Sequence, residues 1–217
     1  MLLTGFESYG GRTINPAEQI VTRLNGTRIG GVGICGRTLP VAYAEVGPRV
    51  ASLIEELRPA AVICLGLWPG APTLRLERIA ANIADFEIAD NVGAIVREPL
   101  LEGGPDGYRS TLPIHAIRDR LLEAGIPAQL SGTAGQSLCN ACMDHALHAG
   151  ARLSPRPPCG FLHLPYLPQQ VALLLEEMRD SARVELHQRA DFASMPLEMQ
   201  IEAVCIATTA TLEATPA

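Results

Sequence analysis

Lysine is absent from this 217-residue chain: all 17 basic side chains are arginine, and they are scattered rather than grouped in a run. Without a basic stripe to follow a phosphate backbone, the sequence argues against a nucleic-acid partner, as does its formal net charge of −6. Charge of either sign is sparse, at 18 % of residues against 47 % apolar. That balance excludes disorder and fits a well-buried core. Long hydrophobic runs are missing as well. No segment approaches the roughly 18 uninterrupted apolar residues of a membrane span, so none is expected. The opening MLLTGFESYGG has no basic region and only a short apolar stretch, which makes it a poor secretory signal. The six cysteines (Cys35, Cys64, Cys139, Cys142, Cys159, Cys205) sit in apolar, core-like runs. A chain of this size needs no disulfide staples, so they read as reduced thiols of a cytoplasmic protein.

What is present is an alternation of short apolar runs and longer helical periods. Met1–Phe6 reads as a strand. Pro16–Leu24 reads as a helix with Asn15 as its N-cap and Pro16 at its first position. Strand Val32–Leu39 and helix Val41–Leu57 follow, then the continuously apolar Ala60–Gly66, as expected of a buried central strand. Ile79–Ile88 reads as a strand with Glu77 at its start, and Ala89–Ser110 as a long loop. Helix Leu112–Ala124, strand Ala128–Ser131, helix Leu138–Ala149 and strand Gly160–Leu164 come next. Helices Pro168–Arg189 and Pro196–Leu212, broken near Asp191–Ser194, close the chain. The pattern implies an α/β fold, a single-domain three-layer α/β/α sandwich around a mixed, mostly parallel twisted sheet. The whole chain, 1–217, is expected to form that domain, with the helical segment from about 168 packing on it. Such folds place their chemistry at strand ends, which draws attention to residues after Gly66, Ser131 and Phe161.

Cys139 follows a strand and a glycine-containing turn and opens a helix. A helix N-terminus lowers a thiol pKa and offers backbone N–H groups to an oxyanion. The plainer reading is a small residue on the helix's buried face. Cys139 and Cys142 also spell a CxxC, but two-thirds of the way along the chain, with no second pair to complete a zinc site. Cys142 therefore reads as core. His163 is the only histidine inside a strand-like apolar run (GFLHLPYLP). Alone it would be a satisfied core histidine; beside a nucleophilic cysteine it is a base. His115, His145, His148 and His187 fall in polar helical surroundings. Glu77, in LRLERIAAN, is either a surface carboxylate paired with Arg75 or Arg78, or the group that fixes an imidazole tautomer.

Four blocks in order carry a resemblance across nearly the whole chain. TGFESYGGRTINP (Thr4–Pro16), LERIAANI (Leu76–Ile83) with ADN (Ala89–Asn91), TAGQSLCN (Thr133–Asn140) and GFLHLPYLPQQ (Gly160–Gln170) resemble the pyroglutamyl peptidase type I family of cysteine peptidases. The resemblance implies an open α/β/α sandwich, no metal or organic cofactor, peptides with an N-terminal pyroglutamate as substrates, and a homo-oligomer, tetramer or dimer. It also implies that Cys139 attacks, His163 activates it and Glu77 orients His163. By similarity Phe6 and Tyr9 clasp the lactam ring, Asn15 hydrogen-bonds its polar edge and Leu138 adds an apolar wall. A neutral, apolar clasp disfavours an N-terminal ammonium.

The chain also departs from that family. In the turn Gly66–Ala71 (GLWPGA), Leu67 replaces a substrate-site glutamine, and Trp68 and Pro69 make a bulkier, stiffer loop. Glu87 stands where many members carry an arginine. Tyr9 replaces a phenylalanine, and 171–192 is longer than usual. Two other classes remain open on the sequence. One is a non-catalytic small-ligand-binding protein on the same scaffold, which would lack thiol reactivity. The other is a redox protein cycling a Cys139–Cys142 disulfide.

Overall fold

The computed structural model describes residues 1–181 and 192–215. In chain order its elements are β1 (Leu2–Phe6), α1 (Pro16–Leu24), β2 (Arg28–Ile29), β3 (Val32–Gly33), β4 (Cys35–Leu39), α2 (Tyr43–Leu57), β5 (Val62–Leu67) and β6 (Leu74–Glu77). There follow β7 (Ile79–Ala81), β8 (Ala84–Asp85), β9 (Arg97–Glu98), β10 (Gly107–Arg109), α3 (Ile114–Glu123), β11 (Ala128–Ser131), α4 (Leu138–Ala151), β12 (Cys159–Leu164), α5 (Pro168–Ser181) and α6 (Leu197–Glu213).

Six strands form the main sheet in the order β11-β6-β12-β5-β1-β4. Every neighbouring pair is parallel except β6 with β12. The sheet is therefore mixed and mostly parallel, as the sequence implied. Strand period two sends alternate residues to opposite faces. Leu3, Ile63, Leu65, Leu162 and Leu164 pack with α1, α3 and α6 in one core. Leu2, Phe6, Val62, Cys64 and Phe161 pack with α2 and α4 in the other. Both faces are covered, so β5 and β12 are near-continuously apolar and buried. Full burial of a side chain such as Phe161 contributes on the order of 1.5–3 kcal/mol.

Local chemistry fixes the elements. Asn15 caps α1, its Oδ1 accepting from the Ala17 backbone N–H at 3.0 Å, with Pro16 at the first helical position. Helix α1 sits so close to β1 that a Cβ on Gly5 would lie 2.5 Å from the Ala17 carbonyl oxygen. Gln200, fully buried on α6, donates from Nε2 to the Met195 and Pro165 carbonyls at 2.9 and 3.2 Å. That ties the start of α6 to the chain leaving β12.

Some boundaries differ from the sequence reading. Val32–Leu39 is interrupted at Ile34 into β3 and β4. The sheet strand near Glu77 is Leu74–Glu77, so Glu77 ends a strand rather than beginning one. Ile79–Ile88 is not one strand: Ile79–Ala81 pairs with β10 and Ala84–Asp85 with β9, both drawn from the expected loop. The distal part of the expected helix Pro168–Arg189, most of the segment 182–192 and His187 lie outside the described residues. Among the described residues no helix is long and apolar enough to cross a membrane.

Candidate active site

Three elements converge at one end of the second face. The antiparallel register of β12 and β6 places His163 beside Arg75, so Arg75 and Glu77 project on the same side as the imidazole. His163 Nδ1 lies 2.8 Å from Glu77 Oε1, with both side chains essentially inaccessible. A carboxylate accepts, so Nδ1 carries the proton and Nε2 is left as the basic nitrogen.

On the other side of β12, His163 is in register with Gly66 of β5. A Cβ at Gly66 would stand 2.7 Å from Cys139 Sγ and 2.7 Å from the Phe161 ring. Only a glycine leaves this space, and the thiol fills it. Cys139 is half-buried in the first turn of α4, whose N-cap residue Ser137 makes no side-chain cap bond. The first-turn N–H groups are thus not claimed by a capping side chain. No hydrogen bond joins the Cys139 thiol to His163 in this conformation; the two groups face the same cavity.

That cavity has a volume of about 600 Å³ and is lined by Phe6, Tyr9, Asn15, Leu67, Trp68, Leu138, Cys139 and His163, among others. Every residue singled out from the sequence lies here except Glu77, which stands behind His163. Asn15 is already engaged: besides capping α1, its Nδ2 donates to the Glu7 carbonyl at 2.8 Å. Its second N–H has no partner among the described residues. Glu87 lines the wall formed by residues 85–90 and is exposed. This wall is strapped in place by Asp90, whose carboxylate accepts from the backbone N–H groups of Tyr43, Val92 and Ala94 at 2.8, 3.0 and 2.8 Å.

Electrostatics here favour neutral groups. Burial, then the Glu77 carboxylate and the Cys64 thiol, push the Cys139 thiol up to about 12. The direction is opposite to the lowering expected from the sequence at a helix N-terminus. Burial lowers the His163 pKa below the ordinary imidazole value; Glu77 pulls it up and Arg75 pushes it down. Thiol and imidazole therefore rest uncharged near neutral pH. Cys142 is fully buried and hydrogen-bonded to Cys64, so the CxxC is not an accessible redox pair.

Two residues read from the sequence only as loop bulk (Trp68) and as an ion-pair partner of Glu77 (Arg75) turn out to flank the imidazole. The Arg75–Glu77 pair is present at 3.2 Å, with Glu77 buried rather than at the surface. Trp68 sets its ring edge-on to His163 with centroids 4.9 Å apart, and Arg75 stacks its guanidinium 3.9 Å from the centre of the same ring. Phe161 flanks the imidazole at 4.7 Å. A lone tryptophan in a Gly-Pro turn, and an arginine two residues before Glu77 on a strand, were the available signals.

Comparison with known proteins agrees with this geometry. Residues 1–214 match the family described as Pyroglutamyl peptidase. The chain belongs to the pyroglutamyl peptidase family. It is 39 % identical over 214 residues to the pyrrolidone-carboxylate peptidase of Pyrococcus furiosus, covering 98 % of each chain. It is 39 % identical over 171 residues to that of Yersinia pestis (strain Pestoides F), covering 78 % of this chain and 80 % of the relative. Its fold superposes on a mutant pyrrolidone carboxyl peptidase from Pyrococcus furiosus with a TM-score of 0.90 at 38 % identity, covering 98 % of this chain and 97 % of that one.

Proposed function

We propose that the protein is a cysteine peptidase that hydrolyses the amide bond after an N-terminal pyroglutamate. The observation that carries this reading is the Glu77–His163 pair facing, across Gly66, a thiol at the mouth of an apolar cavity. Family membership supports the substrate class.

In this reading Cys139 Sγ attacks the carbonyl carbon of the pyroglutamyl bond as its proton passes to His163 Nε2. Because both groups rest neutral, proton transfer accompanies the attack rather than preceding it. The developing oxyanion is met by first-turn N–H groups of α4. The imidazolium, steadied by Glu77, then gives its proton to the departing amine, leaving a thioester. Water attacks the thioester with His163 again as base, releasing pyroglutamic acid and restoring the thiol. Phe6, Tyr9 and Leu138 enclose the uncharged lactam, the free N–H of Asn15 meets its carbonyl, and Leu67 forms the wall beside it. The reaction asks for no metal or organic cofactor.

We further take residues 1–217 to act as one peptidase unit, cytoplasmic and homo-oligomeric. The oligomer is supported by exposed Ile83, Ile88, Val92 and Ile95 along one connecting segment. Light scattering is expected to give a mass above that of one chain.

The test is release of a fluorogenic amine from its pyroglutamyl amide, with prolyl and glutaminyl amides and Cys139→Ala run in parallel. Cleavage of the pyroglutamyl compound alone, lost in Cys139→Ala and largely kept in Cys142→Ala, is the expected result. Folded protein with a reactive Cys139 and no cleavage would mean that the Leu67–Ala71 loop has changed the ligand.

A further inference from the structure

Behind His163 stands a group that a cysteine–histidine–glutamate set does not require. Arg75 Nε lies 3.2 Å from Glu77 Oε1, the same oxygen that His163 Nδ1 meets at 2.8 Å. The guanidinium is held from two more sides. Its Nη2 donates to Ser131 Oγ at 2.7 Å, and its Cζ lies 3.9 Å from the centre of the Trp68 ring. Trp68 closes the circle by packing edge-on against His163.

A carboxylate touching an imidazole favours the imidazolium, which cannot accept a thiol proton. A guanidinium on the same oxygen opposes that pull, and arginine keeps its charge at every working pH. The other titratable or charged groups near the imidazole do not share this position. Cys139 of α4 and Tyr9 across the cavity are held uncharged, each pushed up to about 12, mainly by burial. Cys64 of β5 is hydrogen-bonded to Cys142. On the far wall Asp85 is 3.4 Å from Arg97, Asp90 is taken by backbone N–H groups, and Glu87 faces water.

We propose that Arg75, clamped by Trp68 and Ser131, is a positioning residue that keeps His163 neutral at rest and so sets the acid limit of the reaction. The kinetic readout rests on the function proposed above; the spectroscopic one does not.

The test compares wild type with Arg75→Gln, Arg75→Lys and Trp68→Leu in the full-length chain. Two quantities are followed: the pH dependence of kcat/KM on the pyroglutamyl amide, and the NMR titration midpoint of the His163 imidazole. Arg75→Gln is expected to move the acid limb and the midpoint together to higher pH. Activity on the acid side falls several-fold while the alkaline plateau changes little. Arg75→Lys restores most of the limb, and Trp68→Leu shifts it in the same direction by less. A lowered plateau with limb and midpoint unmoved would mark Arg75 as merely structural and overturn the proposal. Should Arg75→Gln fail to fold, the midpoints of the other two variants decide. Should no chain cleave the amide, the functional reading fails, and the midpoint still decides this one.

Discussion

Glu77 and Asp144 are both wholly buried, yet Glu77 has partners on one of its two oxygens and, among the described residues, Asp144 on neither. Glu77 ends β6 against an imidazole and a guanidinium, both on its Oε1. Asp144 lies on the inner face of α4, and neither of its oxygens has a hydrogen-bond partner among the described residues. Burial raises the Asp144 pKa to about 7; burial first, and then the Asp144 charge, raises that of Tyr108. The difference teaches that burial alone makes a carboxyl a liability. Partners make it an instrument: the same burial that isolates Asp144 strengthens the Glu77–His163 contact by excluding water.

The comparison is broken most severely at Glu77. Glu77→Gln keeps shape but removes the charge that fixes the imidazole tautomer, and kcat/KM is expected to fall by about 10²–10⁴. Circular dichroism should show the fold intact.

Asp144→Asn sharpens the other side. A carboxyl whose folded pKa lies above its unfolded value holds its proton longer in the folded state, so its penalty on stability grows with pH up to about 7 and then levels. The neutral amide removes that penalty. Above pH 7 the variant is expected to gain about 1–2 kcal/mol in denaturant unfolding, discounted for its own unpaired amide, and little in acid. Activity should be unchanged; a loss of stability above pH 7 would show that Asp144 has a partner after all.

The smallest effect is expected at the cavity wall. Leu67→Gln places an amide on the cavity wall, beside the proposed position of the lactam, and is expected to change KM by less than about tenfold, leaving kcat similar. A large fall in KM would show that the loop's departure from the family costs recognition.

Much of this was legible in the residues. Helix Pro16–Leu24 and strand Ala128–Ser131 appear at the expected boundaries, because a cap with proline and a short apolar run are local signals. Strand β6 was not read, because Arg75 and Glu77 alternate with Leu74 and Leu76. That pattern describes a strand with one face in water, whereas here the charged face turns into the site. The hairpins β7–β10 and β8–β9 depend on pairing across long separations, which no local window shows. The raised thiol pKa was missed for a related reason. The helix N-terminus is visible in the sequence, while the burial of the thiol and the Glu77 charge near it arise only once the fold is assembled.

The central claim is that Cys139 is a nucleophile addressed by a pyroglutamyl group, and active-site labelling tests it most directly. The protein would be treated with a pyroglutamyl chloromethyl ketone, with the prolyl analogue as control, and the label located by peptide mass mapping. The expected result is one label per chain on Cys139, absent with the prolyl reagent and slowed in His163→Ala, with the other five cysteines unmodified. Label on another cysteine, or full activity in a chain labelled at Cys139, would contradict the account.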